Sequence, residues 1–297
     1  MCYYIKMDLT SPNKIKEILS RYETRPSKGL GQNFLIDKNV LEKIIASADI
    51  KPTDTILEVG PGIGTLTQAL AEKGSGVIAV EKSETMCEIL KETLKNFKNV
   101  EIIQGDILKI SNFKFQISNY KVVANIPYYL TSPLIRKFLE LDNPPQEMIL
   151  MLQKEVAQRI CPERTGSLPP KMSLLAVSVQ FYAQAKIVSY VSKNCFYPAP
   201  KVDSAIIKIK PHASGQAQKK YDISPDLFFE VVKAGFSHPR KQLVNNLTTL
   251  KSLNDVKLTK EQISQWLLKN NIKQNQRAET LSVSDWVNLC KTFSQKF

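Results

Sequence analysis

A rhythm of short apolar runs separated by helix-length segments constrains this chain more than any other feature. Five runs carry it: Thr55 to Val59, Val77 to Val80, Val100 to Ile103, Tyr120 to Ala124 and Met148 to Leu152. Each has the length of a strand, and strands alternating with helices predict an α/β domain, a mainly parallel sheet covered by helices on both faces. Sheets of this kind bind ligands outside the carboxyl ends of their strands. The residues that follow each run are therefore where chemistry is to be sought.

The first run leads into Gly60-Pro61-Gly62-Ile63-Gly64 and then a helix from Thr65 to Glu72. Glycines let the backbone approach a ligand closely, and the helix start offers unpaired N–H groups. A nicotinamide fingerprint requires Gly-x-Gly-x-x-Gly, whereas this loop is Gly-x-Gly-x-Gly with Glu58 two residues before the first glycine. An adenosine ligand with a positively charged sulfonium and no pyrophosphate fits such a loop better than a dinucleotide does. Glu81 ends the second run, about twenty residues past Gly60, where a carboxylate can accept both ribose hydroxyls. Asp106, in Gln104-Gly105-Asp106-Ile107, ends the third, placed to accept from an adenine amino group while Ile107 packs on the ring. Any one of these acids, taken alone, reads more readily as a helix cap or a solvated loop residue. Three strand ends in register point instead to a cofactor site.

The fourth run closes on Asn125-Ile126-Pro127-Tyr128, which reads as a reaction site. The Asn carbonyl accepts hydrogen bonds, the proline holds a backbone carbonyl outward without an N–H of its own, and Tyr128 offers a flat face for stacking. Those parts suit a planar, amino-bearing ring. Taken alone, Asn-x-Pro is also an ordinary strand-to-loop turn.

On either side lie segments of other kinds. Residues 10 to 24 form a short basic helix by pattern, opened by Ser11-Pro12 and closed by Arg25-Pro26. Lys28-Gly29-Leu30-Gly31-Gln32-Asn33-Phe34-Leu35 then reads either as a lid or as a lead-in to a helix from about Asp37 to Ala48. Past the sheet runs come a turn-rich loop from Pro162 to Lys171, a helix from Met172 to Tyr182, and β segments at Ala185 to Val191 and Ala205 to Ile209. Between those two segments lies Phe196-Tyr197-Pro198-Ala199-Pro200-Lys201-Val202-Asp203-Ser204, whose prolines would present Phe196 rigidly; a core aromatic is the other reading. A polar linker, His212 to Lys220, marks the domain boundary. Four helical patterns follow, near 225 to 236, 239 to 250, 259 to 270 and 284 to 294, with Arg240 and Lys241 at the start of the second.

The 297 residues carry a formal charge of +13, which favours a polyanionic partner. The surplus sits at the ends: residues 1 to 38 hold 7 Lys+Arg against 4 Asp+Glu, and residues 213 to 297 hold 13 against 7. No apolar run reaches the roughly 18 residues of a membrane span, and the charged, broken start lacks the apolar stretch of a signal peptide, so a cytoplasmic protein is expected. Five scattered cysteines without a Cys-x-x-Cys pair, and only two histidines, support neither a disulfide framework nor a metal site.

Taken together, the motifs resemble those of the S-adenosylmethionine-dependent ribosomal RNA adenine N6,N6-dimethyltransferases, most of all the small-subunit (16S/18S) group. The resemblance runs from about Lys28 to Thr292. It rests on Gly31-Gln32-Asn33-Phe34-Leu35, Glu58-Val59-Gly60-Pro61-Gly62-Ile63-Gly64, Gln104-Gly105-Asp106, Asn125-Ile126-Pro127-Tyr128, the Phe196 to Ser204 loop and Arg277-Ala278-Glu279-Thr280-Leu281. It implies a Rossmann-like methyltransferase fold with a mainly parallel seven-stranded sheet and a small all-helical C-terminal domain. The expected divisions are a basic extension over 1–27, the methyltransferase domain over 28–212 and a helical RNA-binding domain over 213–297.

The resemblance also implies S-adenosylmethionine as cofactor, held by Gln32, Asn33, Leu35, Gly60, Gly62, Glu81, Asp106, Ile107 and Asn125. Tyr128 and Phe196 would sandwich a flipped adenine while the Asn125 side-chain carbonyl and the Pro127 backbone carbonyl accept its two N6–H bonds. Arg240, Lys241 and Lys201 would contact RNA, the partner being small-subunit rRNA within a 30S assembly intermediate, and nothing demands more than a monomer. Two relatives share the core motifs: large-subunit (23S) methyltransferases of the macrolide-resistance type, and non-catalytic nucleic-acid binders that serve as assembly or transcription factors. Arg277-Ala278-Glu279-Thr280-Leu281 favours the small-subunit group, and an intact Asn125, Pro127 and Tyr128 favours an enzyme. The chain departs from the family in having Pro239 where an arginine often precedes Arg240-Lys241, and Tyr129 where a small or amide residue is common.

Overall fold

Every apolar run singled out above becomes a strand. In the computed structural model, which describes residues 7–27, 29–73, 76–110, 119–161, 171–212, 220–250 and 257–296, the strands are β1 (Phe34–Leu35), β2 (Thr55–Val59), β3 (Gly76–Glu81), β4 (Val100–Gln104), β5 (Tyr120–Asn125), β6 (Glu147–Gln153), β7 (Ala183–Val191), β8 (Phe196–Tyr197) and β9 (Ser204–Pro211). Seven form one sheet in the order β4-β3-β2-β5-β6-β9-β7. The first five run parallel, and β9 returns antiparallel to β6. The expected Rossmann-like, mainly parallel seven-stranded architecture is thus present. β1 and β8 form a separate two-stranded ladder. The expected Pro162 to Lys171 loop and His212 to Lys220 linker lie almost wholly outside the described residues.

Because strand order reverses between β2 and β5, the C-terminal ends of β2, β3, β4 and β5 open onto one crevice. Helices α2 (Lys38–Ala48), α3 (Thr65–Ala71), α4 (Glu84–Thr93) and α5 (Thr131–Leu139) connect them. Their starts are written locally: the Asp37 side chain accepts the Val40 N–H and Ser83 accepts that of Met86. Leu35, Val40, Ile44, Leu66, Val123 and Ile149 belong to one apolar core shared by α2, α3 and the sheet.

The N-terminal helix α1 (Pro12–Arg21) differs from the separate basic extension expected over 1–27. Ile15, Ile18 and Leu19 fall on one face and join Leu9, Phe34, Ile63, Met86 and Ile89 in a single apolar cluster. Arg21 and Tyr22 both bond Glu92 of α4. The basic residues mark the helix's outer face; burial of its apolar stripe ties it to the sheet domain.

The chain divides into two compact units, one running to Ala157 and including Ala185–Pro211, the other comprising Gln158–Gln184 and His212 onward. The expected division assigned residues 158–184 to the sheet domain. The difference has a packing cause: in helix Leu174–Tyr182, Ala176, Val177 and Phe181 share the core of the C-terminal helices, Phe181 stacking on Phe228 at 4.1 Å between centroids. The helix expected over 239–250 is also different. Arg240 and Lys241 lie in a turn, and helix begins only at Leu243, ending at Asn246. The Asn246 amide bonds the carbonyls of Gly235 and His238, and the Leu243 N–H goes to Gln276, so the backbone here serves tertiary bonds instead of a continuing helix.

Gly235, at the end of helix Pro225–Gly235, faces Trp286 so closely that a Cβ would stand 2.3 Å from the indole Cη2. Alanine gains about 1 kcal/mol of helix propensity. Overpacking a filled core costs about 1–3 kcal/mol or more, and here backbone meets a fully buried ring. Gly235→Ala is therefore expected to lower stability by on the order of 1–2 kcal/mol. Thermal denaturation of the full chain checks this, and a melting temperature at or above the parent's would mean that Trp286 gives way.

Candidate active site

One cleft at the C-terminal edge of the parallel strands is lined by Gln32, Asn33, Leu35, Gly60, Gly62, Glu81, Asp106, Ile107, Asn125, Pro127, Tyr128 and Phe196. The loop after β2 curls beneath it on glycines at positive φ. At Gly62 (φ +60°) an added Cβ would stand 3.1 Å from the Phe34 ring, so both the turn and the close approach need the missing side chain. The Glu81 carboxylate holds this loop, accepting from the Gly62 N–H at 3.2 Å and the Ser83 N–H at 2.8 Å. Burial raises the Glu81 pKa, and these backbone donors oppose that rise.

Asp106 is anchored on both oxygens, by the Leu108 N–H (3.0 Å) and the Lys82 ammonium (3.0 Å). Burial works against its charge, yet the Lys82 and Leu108 donors prevail and hold its carboxyl below the usual range. Lys137 of α5 donates to the carbonyls of Leu108 and Ile110, fixing the loop that carries Asp106 and Ile107. The sequence reading assigned no role to Lys82 or Lys137; nothing local to either residue signals it.

The segment after Pro26 is neither a free lid nor a plain helix lead-in. Phe34 and Leu35 pair antiparallel with Tyr197 and Phe196, and the Ile36 N–H bonds Cys195. Gln32 accepts the Ser27 N–H at 2.8 Å, and the Asn33 side chain donates to the Gly31 carbonyl at 3.1 Å. Phe196 is only 4% exposed and belongs to the apolar core, as the second of its two readings has it, and it also lines the cleft.

At the end of β5, the Asn125 side-chain NH2 donates to the Asn33 backbone carbonyl at 3.1 Å. That bond orients the amide and leaves its oxygen as the acceptor at the cleft. The Pro127 carbonyl accepts the Leu130 N–H at 2.9 Å, which closes the turn. Pro127, whose carbonyl keeps a second lone pair, and Ile126 before it both line the cleft. The Tyr128 hydroxyl is pinned to Ser204 Oγ at 2.8 Å, and burial raises its pKa. Of the residues expected to meet RNA, Lys201 is exposed on the loop between β8 and β9, while Arg240 and Lys241 are exposed on their turn in the helical unit.

Glu58 adds a test of what the cleft can hold. It lines the cleft, is 1% exposed, and its Oε2 has no hydrogen-bond partner among the described residues. Burial pushes its pKa up to about 8. Glu58, with its pKa raised to about 8, is mostly uncharged at neutral pH, so Glu81 and Asp106 are the acids that give the cleft its charge, and among the described residues Lys82, itself paired with Asp106, is the one cation lining it. This set suits a cationic, ribose-bearing ligand; a pyrophosphate would meet like charge.

Comparison with known proteins agrees with that chemistry. The profile of a family described as ribosomal RNA adenine dimethylase matches residues 23–295. A ribosomal RNA small subunit methyltransferase A from Alkaliphilus oremlandii (strain OhILAs) is 41% identical over 97% of this chain and 99% of its own length. The crystal structure of a dimethyladenosine transferase from Plasmodium falciparum superposes with a TM-score of 0.68 at 27% identity, covering 88% of this chain and 98% of that one. The 23S rRNA methyltransferase ErmE shares the fold, with a TM-score of 0.63 at 24% identity over 89% of this chain and 100% of that one.

Proposed function

Since the chain belongs to the ribosomal RNA adenine dimethylase family, we propose that it dimethylates N6 of two adjacent adenines near the 3′ end of small-subunit rRNA, acting as a monomer on an assembling 30S particle in the cytoplasm. It is an S-adenosylmethionine-dependent methyltransferase, and that cofactor supplies an electrophilic methyl group on a sulfonium. Glu81 is suited to the ribose hydroxyls, Asp106 and Ile107 to the adenine of the cofactor, and the Gly60–Gly62 turn to its methionine end. The small-subunit assignment draws support from the full-length match to relatives named for that subunit.

The observation that carries the reading is the orientation of Asn125, whose NH2 is committed to Asn33. Its oxygen, together with the Pro127 backbone carbonyl, would present two acceptors to an amino group that carries two N–H bonds. The N6 lone pair of adenine is delocalised into the ring. Accepting both N–H bonds favours a more tetrahedral nitrogen with a localised, nucleophilic pair, and stabilises the positive charge that develops on it. Tyr128, fixed at its hydroxyl, and Phe196, fixed in the core, offer faces for the flipped base. No strongly basic side chain is needed, because the nitrogen's proton becomes acidic once the methyl is attached. The second transfer presents one N–CH3 in place of an N–H, so one of the two acceptors then faces a methyl group.

The test is methyl transfer from labelled S-adenosylmethionine to undermethylated small subunits, large subunits and bare rRNA, with the modified nucleoside identified after digestion. Dimethyladenosine in small-subunit RNA alone is the expected outcome. Label in large-subunit RNA would move the substrate assignment, and cofactor binding without label on any RNA would overturn the enzymatic reading.

A further inference from the structure

Among the described residues, five large apolar side chains are prominently exposed: Tyr129, Val188, Tyr190, Val202 and Leu268. Tyr129 stands at the mouth of the cleft, whereas Val188, Tyr190 and Val202 lie on β7 and the loop between β8 and β9, away from the proposed chemistry. Tyr190 is 45% exposed and carries the Lys154 ammonium over its ring, 5.1 Å from the centroid. Such a ring keeps an accessible aromatic surface and has a cation already beside it.

Its position follows from a chain of short contacts that begins at the target-base pocket. The Tyr128 hydroxyl bonds Ser204, the first residue of β9, which is in register with Gln153 at the end of β6. The next residue, Lys154, donates its N–H to the Asp203 carbonyl at 3.0 Å, and Asp203 also accepts the Lys193 N–H at 3.1 Å. Lys154 then reaches Tyr190. Asn125, Ser204 and Tyr190 therefore lie toward the same end of the sheet. From β5 to β7 is three strand spacings, roughly 14 Å, a distance that RNA leaving the cleft on that side can span with the nucleotides next to the target. Lys193 and Lys201 are exposed in the same region and add positive charge for the backbone.

Resting on the reading of this chain as an RNA-adenine methyltransferase, we propose that Tyr190, with Lys154, is a stacking platform for a nucleotide flanking the target adenine. An aromatic face accepts any base, a cation beside it meets the phosphate, and the exposed Val188 and Val202 extend the apolar ground. A protein partner would also use an exposed aromatic. The cations and the link to the base pocket favour RNA.

The test compares the parent with Tyr190→Ala and Tyr190→Phe in the full chain, using undermethylated small subunits as substrate and a single-stranded RNA carrying 2-aminopurine beside the target adenine as probe. Tyr190→Ala is expected to raise KM for the RNA about 10-fold, equivalent to ~1.4 kcal/mol, with kcat and cofactor affinity unchanged. The probe should be quenched by the parent and by Tyr190→Phe but not by Tyr190→Ala. A parental KM and parental quenching in Tyr190→Ala would overturn the platform while leaving the enzyme assignment intact. A Tyr190→Phe variant as weak as Tyr190→Ala would overturn stacking in favour of a hydroxyl contact. Failure of the parent itself to methylate any RNA would instead defeat the functional reading beneath it.

Discussion

Asn125→Ala is expected to lower kcat for methyl transfer by about 10²–10³-fold, or ~3–4 kcal/mol, while the dissociation constant for S-adenosylmethionine stays within several-fold of the parent's. The asymmetry follows from the proposed role, in which the side-chain oxygen would meet the target amino group, whereas its NH2 holds the Asn33 carbonyl in the cleft wall. Removing both would lose the dipole proposed to face the charge that develops on N6, while Glu81, Asp106 and the glycine turn, proposed to hold the cofactor, stay in the cleft wall. Glu81→Ala should show the reverse partition, losing cofactor affinity before turnover at saturation. Its carboxylate is offered to the ribose, and charged hydrogen bonds are worth about 1.5–3 kcal/mol each. Measuring kcat and cofactor binding separately for both variants decides the matter. Parental turnover in Asn125→Ala would sink the mechanism, and a loss confined to cofactor binding would make Asn125 a cofactor ligand alone.

The second large effect concerns stability and lies at the other end of the same strand. Lys121, 6% exposed, places its ammonium 2.9 Å from Asp54 and 3.5 Å from Glu147, and donates to the carbonyls of Ala48 (3.0 Å) and Asp49 (2.8 Å). It thereby covers the carbonyl end of α2, where a cation is favoured, and joins that helix to three strands through Glu147 and Lys208. Lys121→Met keeps the volume but takes the ammonium from the Ala48 and Asp49 carbonyls and from two carboxylates, leaving Asp54 with only the Lys51 N–H and Glu147 with only Lys208. Breaking a buried ion pair from one side costs about 3–5 kcal/mol. The melting temperature should therefore fall by on the order of 10 °C, with activity per folded molecule preserved at low temperature. A shift under about 2 °C would mean that solvent replaces the ammonium.

The acid side of this prediction follows from Asp54. Burial alone would raise its pKa, but the Lys51 N–H and Lys121 outweigh burial and lower it. A depressed folded-state pKa stabilises above the ordinary aspartate range and ceases to do so as pH falls through the depressed value. The gap in stability between the parent and Lys121→Met should accordingly narrow in acid.

Much of the catalytic unit was legible before folding because its signals are local. Thr55–Val59 and the runs after it announce strands by apolar content, Gly60, Gly62 and Gly64 announce a turn at positive φ, and Glu81 and Asp106 stand at strand ends that a parallel sheet must bring together. The Ile15, Ile18 and Leu19 stripe was visible in α1, yet the basic residues between them suggested an extension, when they only occupy the outward face.

The order of elements, the crevice at which they converge and the residue types that face it could be read from local signals, since each depends on neighbours within a few positions and on one topological rule. Tertiary structure alone decided the hydrogen bonds between distant segments. It committed the Asn125 NH2 to the Asn33 carbonyl, closed the turn after β5 with the Leu130 N–H on the Pro127 carbonyl, and pinned Tyr128 with Ser204. It also gave Lys121, one polar residue in an apolar run, partners at Ala48, Asp49, Asp54 and Glu147, and gave helix Leu174–Tyr182 to the helical unit. Such pairings depend on where atoms stand after the chain has closed, and no periodicity or spacing in the sequence encodes them.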